Sequence, residues 1–370
     1  MRTVLHTEAS PGLGGQEIRT LNEAGWTAER GWRVLLAAPA GAPLLERARS
    51  QRIAATAVPM RGPWDALAVA RLVRLIRRER VDLVHTHSSI DGWLGGLAGR
   101  AARVPVVRTR HVSLPIRRGW NPVYRWLADR VITSGESIRR IVIGAGVPPE
   151  RVVAIPAGVD LATFRFRAAP GPGPGGLTLS RPVIGSVAMF RGSKGHAELM
   201  QAFQRVRARH PRSTLLLVGD GIRRAWVEDL ARQAGLADAV VFTGFRPDVA
   251  ALLEAMDCFV LASTRTEGVP QSLLQAMATG VPVVASDVGG VHEIVVDRVT
   301  GLLAEPGAVE GLADRIHRVL GDPAAAAARA AAARAIVEER FSHTASVSRL
   351  LAVYGELVGD GARVEAGQAA

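Results

Sequence analysis

The chain is poor in cysteine, in lysine and in long apolar runs. Cys258 is its one cysteine and Lys194 its one lysine. A single cysteine excludes an internal disulfide and a cysteine metal cluster, so a reducing compartment is expected. No apolar run approaches the roughly 18 residues of a spanning helix, and the opening MRTVLHTEASPG has no signal-peptide core. The expectation is a cytoplasmic protein. Three motifs are also missing. There is no GxGxxG after the first strand and no acidic residue ending the second, which disfavours a nicotinamide enzyme. There is no HExxH, and no DxD-type acidic clamp for a metal.

What is present is a chain of 370 residues, 48% of them apolar, enough for two cores. Its net charge of +12 is uneven: residues 1–180 hold 26 arginines against 13 acids, and the remainder 20 basic residues against 21 acids. Arginine supplies 45 of the 46 basic residues, a habit that GC-rich coding explains. Such coding explains neither the concentration in one half nor the survival of Lys194. A basic half suits an anionic partner.

Short β-type runs alternate with helical patterns. The expected strands are Thr3–His6, Arg33–Ala37, Leu83–His85, Val106–Thr109, Val131–Thr133 and Val152–Ile155, then Val183–Val187, Leu215–Val218, Val240–Thr243, Cys258–Leu261, Val283–Ala285 and Gly301–Leu303. Ala66–Arg80, His196–Arg209 and Ala225–Ala234 read as helices between them. This alternation predicts two doubly wound parallel sheets, an α/β architecture. Residues 1–167 form the first expected domain and 183–340 the second. The Pro/Gly-rich stretch 168–182 reads as the linker. Pro323–Ala335, rich in Ala and Arg, reads as helix. In 341–360 the spacing of Val347, Leu350, Leu351, Tyr354 and Leu357 predicts a docked amphipathic helix, and 361–370 a tail.

Ligands of open parallel sheets bind beyond the strands' carboxyl ends, and the candidate residues fall there. Gly14 and Gly15 follow the first strand and open a helix, where amide groups can approach a phosphate. His85, His87, Ser88 and Asp91 follow the third strand of the first half. His85 and His87 alternate across a strand end, which with the missing HExxH argues against a metal. His85 reads equally as a buried, satisfied histidine. His111 stands at the next strand end beside Arg108 and Arg110, a place for an anionic ligand. In the second half Arg191, Gly192, Lys194 and Gly195 can cradle a diphosphate. In the segment from Glu267 to Pro282, Pro270 suits a helix start and Gly280 its stop. Gly268 and Val269 offer amides at the positive helix end. Glu267 and Gln275, eight residues apart, would lie roughly 12 Å apart along a helix.

Taken in order, these residues resemble glycosyltransferase family 4, retaining enzymes of GT-B fold. The resemblance runs from Gly14 to Tyr354. It rests on Gly14-Gly15, Val84-His85-Thr86-His87, His111 and Ile155-Pro156-Ala157-Gly158-Val159-Asp160. In the second half it rests on Lys194-Gly195, Val218-Gly219-Asp220-Gly221, Phe242-Thr243-Gly244, the Glu267 block, Val288-Gly289-Gly290 and Thr300-Gly301-Leu302-Leu303. It implies two Rossmann-like domains facing a cleft, the first on the acceptor side and the second binding the nucleotide sugar. The C-terminal helix would cross back to the first domain.

The resemblance makes His111 and Glu267 the catalytic candidates. Arg191 and Lys194 match the basic pair on the donor diphosphate, joined by Gly14, Gly15, Gly268 and Val269. Gln275 stands where the family's ribose-binding glutamate is expected, an uncharged substitute that can still bond hydroxyls. Gly219, Thr243, Gly244 and Phe245 mark the base-binding region, and His87, Ser88, Asp91 and Arg110 the acceptor side.

The implied activity is metal-independent transfer of a sugar from a nucleotide-sugar co-substrate to a cell-envelope glycan or glycolipid, such as a lipopolysaccharide core, with no separate cofactor. Arg71, Arg74, Arg77, Arg78 and Arg80, with Arg117, Arg118, Trp120, Tyr124, Arg125 and Trp126, suggest an anionic membrane surface, peripheral on the cytoplasmic face of the inner membrane. Nucleic acid is not an expected partner, since no recognition motif accompanies the charge. A sugar-nucleotide epimerase on the same fold and a non-catalytic nucleotide-sugar-binding protein remain as alternatives.

Overall fold

The computed structural model describes residues 1–116, 121–265 and 267–359. Arg117, Arg118 and Trp120, and the tail 361–370, lie outside the described residues. The chain divides into two compact units. One is Met1–Ala157 with the C-terminal segment from Thr344, and the other is Gly158–His343.

The first unit runs β1 (Thr3–Thr7), α1 (Gly15–Glu29), β2 (Arg33–Ala38), α2 (Pro43–Ser50), β3 (Ala54–Ala57), α3 (Ala66–Arg78), β4 (Leu83–Thr86), α4 (Ser89–Ala102), β5 (Val106–Arg110), β6 (Arg130–Thr133), α5 (Glu136–Gly144) and β7 (Val152–Ala154). The second runs β8 (Val183–Val187), α6 (His196–Arg209), β9 (Thr214–Val218), α7 (Arg224–Gln233), β10 (Val240–Gly244), α8 (Val249–Glu254), β11 (Cys258–Leu261), α9 (Gln271–Thr279), β12 (Val283–Ser286), β13 (Leu302–Ala304), α10 (Val309–Gly321) and α11 (Pro323–Ile336). The last of the described elements is α12 (His343–Val358), which packs on the first unit.

The first sheet has the order β3-β2-β1-β4-β5-β6-β7 and the second β10-β9-β8-β11-β12-β13. Every ladder in both is parallel. Each strand therefore needs cover on both faces, which explains its continuous apolar run. In the first unit one face packs Leu21, Leu44, Leu45, Leu350 and Tyr354, and the other Leu72, Leu75, Leu94 and Ala98. In the second, Phe203, Val227 and Ile316 cover one face and Leu252, Leu274, Met277 and Phe341 the other.

Each of the twelve expected strands is found, with no end shifted by more than one residue. The sequence reading missed β3, because Ala54-Ala55-Thr56-Ala57 is largely exposed and lacks the β-branched pattern that marks a strand. It also carried α3 two residues too far, since Arg80 takes a left-handed backbone after the helix has ended. The Pro/Gly stretch 168–182 does not separate the units. It is fastened to the second one: Gly171 N–H donates to the Glu254 carbonyl at 2.7 Å, Ser180 N–H to Thr214 Oγ1 at 3.0 Å, and Arg181 pairs with Asp257 at 2.8 Å. The chain passes between units instead at Ala157/Gly158 and His343/Thr344. The Ala/Arg tract is helical as expected. Asp322 caps α11 by accepting from Ala325 N–H at 3.0 Å, and Ala326, Ala330 and Ala333 are buried along it.

Candidate active site

Both sheets reverse their strand order at one place, β1/β4 in the first and β8/β11 in the second. Ligands of this fold bind beyond the carboxyl ends there. In the second unit the loop after β8 carries Arg191 and closes in a turn, Gly192–Lys194. Gly195 follows with φ +66°, and a Cβ on it would meet the Ala262 carbonyl oxygen at 1.7 Å. Only glycine lets this turn lie against the end of β11. Thr264 N–H fastens the contact by donating to the Ser193 carbonyl at 3.0 Å.

That approach brings Lys194 to Glu267. Lys194 Nζ donates to Glu267 Oε1 at 2.5 Å, and Ser263 Oγ donates to the same oxygen at 2.7 Å. The two charged side chains are only 11% and 13% exposed. A second glycine seats the acid: Gly290 N–H donates to the Glu267 carbonyl at 2.9 Å, and a Cβ there would lie 2.6 Å from the Gly268 carbonyl oxygen. Glu267, Gly268 and Val269 thus lie in a turn before α9, not on it. The helical ruler from Glu267 to Gln275 does not apply, because α9 begins at Gln271. Pro270 caps its start and Gly280, with φ +81°, ends it. Gln275 is half-buried on α9, and Arg191 is exposed at the rim. Gly219 and Gly244 meet in an isolated bridge between the ends of β9 and β10, with Thr243 half-buried and Phe245 exposed beside them. Buried Ser263 was missed, although its place just past β11 is one the strand-end rule flags.

In the first unit the sequence candidates are rearranged. His85 and His87 do not alternate across the sheet, because residues two apart on a strand face the same side. Their rings lie 4.1 Å apart. The parallel register sets His6 of β1 opposite His85, which adds a third ring 5.0 Å from His85. His6 Nδ1 and His87 Nε2 share a hydrogen at 2.9 Å, and His87 Nδ1 and His111 Nε2 at 3.3 Å. His85 is the satisfied core histidine, bonded to Tyr354 OH of α12 and to Thr109 Oγ1, both at 2.6 Å. Burial lowers the pKa of His6 to about 3. Burial first, and then positive neighbours including Arg108, hold His85, His87 and His111 well below the usual histidine value. These rings are neutral at pH 7. Nitrogens of His6, His85 and His87 come within 4.8 Å of one another, a spacing open to a metal ion; in this structure hydrogen bonds within the protein occupy them, apart from His6 Nε2.

Three of the acceptor-side candidates form the floor of this region rather than its surface. His87 is buried within the imidazole column. Asp91 is fully buried: it accepts from Ser88 N–H, His87 N–H and Thr7 Oγ1, so it caps α4 and has no free oxygen lone pair pointing outward. Arg110 is buried too, donating to Tyr124 OH at 2.8 Å and to the Leu114 carbonyl. Ser88 is half-buried, and its hydroxyl donates to Asp91. His111 reaches the surface further. At α1, Gly14 N–H is already bonded to the Glu17 carboxylate at 2.6 Å. Glu8, which the sequence reading passed over, is buried beside it. Its carboxyl accepts from Ser10 N–H and Gln16 Nε2, and burial, with Asp91 nearby, pushes its pKa up to about 8. With its amide taken by the Glu17 carboxylate, Gly14 has no N–H left for a phosphate in this structure.

Two Rossmann-like units with chemistry at their switch points define the GT-B class of sugar-transferring enzymes. A sequence model of Glycosyltransferase Family 4 matches residues 13–163, and one of Glycosyl transferases group 1 matches 174–336. The chain is 34% identical to a 2-deoxystreptamine glucosyltransferase of Streptomyces kanamyceticus over 80% of its own length and 83% of the relative's. It is 30% identical to a UDP-Gal:alpha-D-GlcNAc-diphosphoundecaprenol alpha-1,3-galactosyltransferase of Escherichia coli over 70% and 71% of the two chains. The crystal structure of Anabaena Alr3699/HepE in complex with UDP-glucose superposes with a TM-score of 0.82 at 23% identity, covering 96% of this chain and all of that one. The chain belongs to glycosyltransferase family 4. It is a glycosyltransferase of GT-B fold.

Proposed function

We propose that the chain transfers a hexose, with retention of anomeric configuration and without a metal ion, to a cell-envelope glycan or glycolipid. The observation that carries the reading is the buried Lys194–Glu267 pair at the switch point of the second sheet, served by Ser263. Departure of a nucleoside diphosphate puts negative charge on phosphate oxygens and positive charge on the sugar carbon. Lys194, Arg191, and the amides of Gly268 and Val269 ahead of α9 oppose the first. The Glu267 carboxylate faces the sugar, and Lys194, bonded to it, links sugar and diphosphate recognition. Gln275 bonds the ribose, and the strand ends at Gly219, Thr243, Gly244 and Phe245 hold the base. His111 is the first unit's catalytic candidate. With cationic side chains and amides stabilising the leaving group, the step needs no metal clamp.

The acceptor reading is supported by the E. coli relative, whose name gives a lipid-linked diphosphate acceptor. It is also supported by the first unit's surface. Arg71, Arg74, Arg77 and Arg78 are exposed on α3, with Trp64 80% and Leu67 66% exposed beside them. Exposed aromatic and apolar side chains among arginines suit an anionic bilayer. No helix among the described residues is long and apolar enough to cross a membrane.

A thermal-shift screen against UDP-, GDP- and ADP-sugars identifies the donor, because a bound ligand raises the melting temperature by mass action. NMR of the product's anomeric proton then reads retention. The transfer reading fails if the matched donor is epimerised or left intact in the presence of lipid-linked and soluble sugar acceptors. The membrane reading fails if anionic and neutral vesicles sediment equally little protein.

A further inference from the structure

The column His6–His87–His111 is continuous, and its members are neutral. A neutral imidazole carries one hydrogen and offers one lone pair. In series, the choice made by one ring dictates the next. Either all three rings carry hydrogen on Nδ1, or all three carry it on Nε2. A mixed column would set two hydrogens, or two lone pairs, against each other. The two uniform arrangements differ at the ends. His6 Nε2 is buried and has no partner. Hydrogen on Nε2 of every ring would strand an N–H there, the rarer of buried defects. Hydrogen on Nδ1 lets His6 donate to His87 and His87 donate to His111.

We infer that His6 and His87 are positioning residues that lock His111 in its Nδ1–H form. The first unit thereby presents a fixed hydrogen-bond donor to the substrate at His111 Nδ1, the nitrogen outside the column. This rests on the reading of His111 as the residue at the reacting centre. The column itself does not depend on that reading. His85, wedged against the column but bonded to Tyr354 and Thr109, keeps the rings from rotating. Loss of a partner that orients a functional histidine costs about 10–100-fold in metal sites, and a similar factor is expected here.

The test is nitrogen-15 NMR of the full chain with labelled histidine, at pH 7 and without substrate. His6, His87 and His111 are expected to give Nδ1–H signatures. His6→Leu should convert His111 to a tautomer mixture and lower kcat about 10–100-fold with little change in donor KM. His6→Asn, whose amide nitrogen replaces Nδ1, should restore both the tautomer and most of the rate. A purely structural role predicts lower stability in His6→Leu without any change in the His111 tautomer. Three results overturn the inference: Nε2–H or mixed signatures in the unaltered protein, an unchanged His111 tautomer in His6→Leu, or zinc ions that bind these rings and abolish the shared-hydrogen signals. If His111→Ala leaves transfer unchanged while the signatures are as expected, the placing of His111 at the reacting centre is wrong and the column stands.

Discussion

Lys194→Met is the perturbation from which the site reasoning can be worked through in numbers. The substitution keeps the stem's length and removes the charge, so Glu267 is left with Ser263 alone. Breaking a buried ion pair costs about 3–5 kcal/mol. The pair retains 11% and 13% exposure, so the lower end, about 3 kcal/mol, is appropriate. For a unit of this size that is a fall in melting temperature of about 6–12 °C. Adding Glu267→Gln removes the stranded carboxylate, so the double variant should recover most of the loss. Catalysis should behave differently. Removing one group that stabilises leaving-group charge costs about 100–1,000-fold in kcat, and the double variant cannot recover it. Scanning fluorimetry and turnover of the matched donor read the two effects separately. A melting temperature unchanged by Lys194→Met would refute the pairing. Turnover within threefold of the parent would refute the placing of Lys194 on the diphosphate.

Glu8→Gln tests the buried carboxyl. Its folded pKa of about 8 lies above the ordinary value of 4.5, so the native state binds the extra proton and stability falls as pH rises through that window. The variant should lose that decline, with Gln16 turning its amide to meet the new one; melting curves that stay parallel from pH 5 to 8 would count against it. Gly195→Ala places a Cβ on the Ala262 carbonyl and should displace the Lys194 turn, weakening donor affinity at least about tenfold by calorimetry. Tyr354→Phe removes the bond to His85 and should cost about 1–3 kcal/mol by denaturant titration, although α12 remains packed. Burial raises the pKa of Cys258 far above the usual thiol range, so the native protein should resist thiol reagents until it unfolds.

Much of the architecture was legible because its signals are local. A strand buried on both faces must be apolar throughout, and β8 and β11 were bounded correctly from that run alone. Gly280 and Pro270 marked the ends of α9 by backbone chemistry that needs no tertiary context. The solitary lysine among 46 basic residues pointed, without any coordinates, to the loop after β8 that the structure sets against Glu267. β3 escaped because an exposed edge places few demands on its residues.

What only the tertiary structure decided is which distant residues share a site and which of them are free to act. Lys194 and Glu267 were separate candidates until Gly195 and Gly290 let two loops meet at backbone contact. His6 had no motif to mark it; the register between β1 and β4 made it the root of the column behind His111. Asp91 had the chemistry of an acceptor ligand, but its hydrogen bonds are already made within the protein, and Arg110 is buried against Tyr124 and Leu114. Sequence determines periodicity, turns and the kinds of chemical group available, because these follow from each residue and its near neighbours. Pairing, burial and hydrogen-bond saturation follow from packing across the sheet, which brings together residues some eighty positions apart.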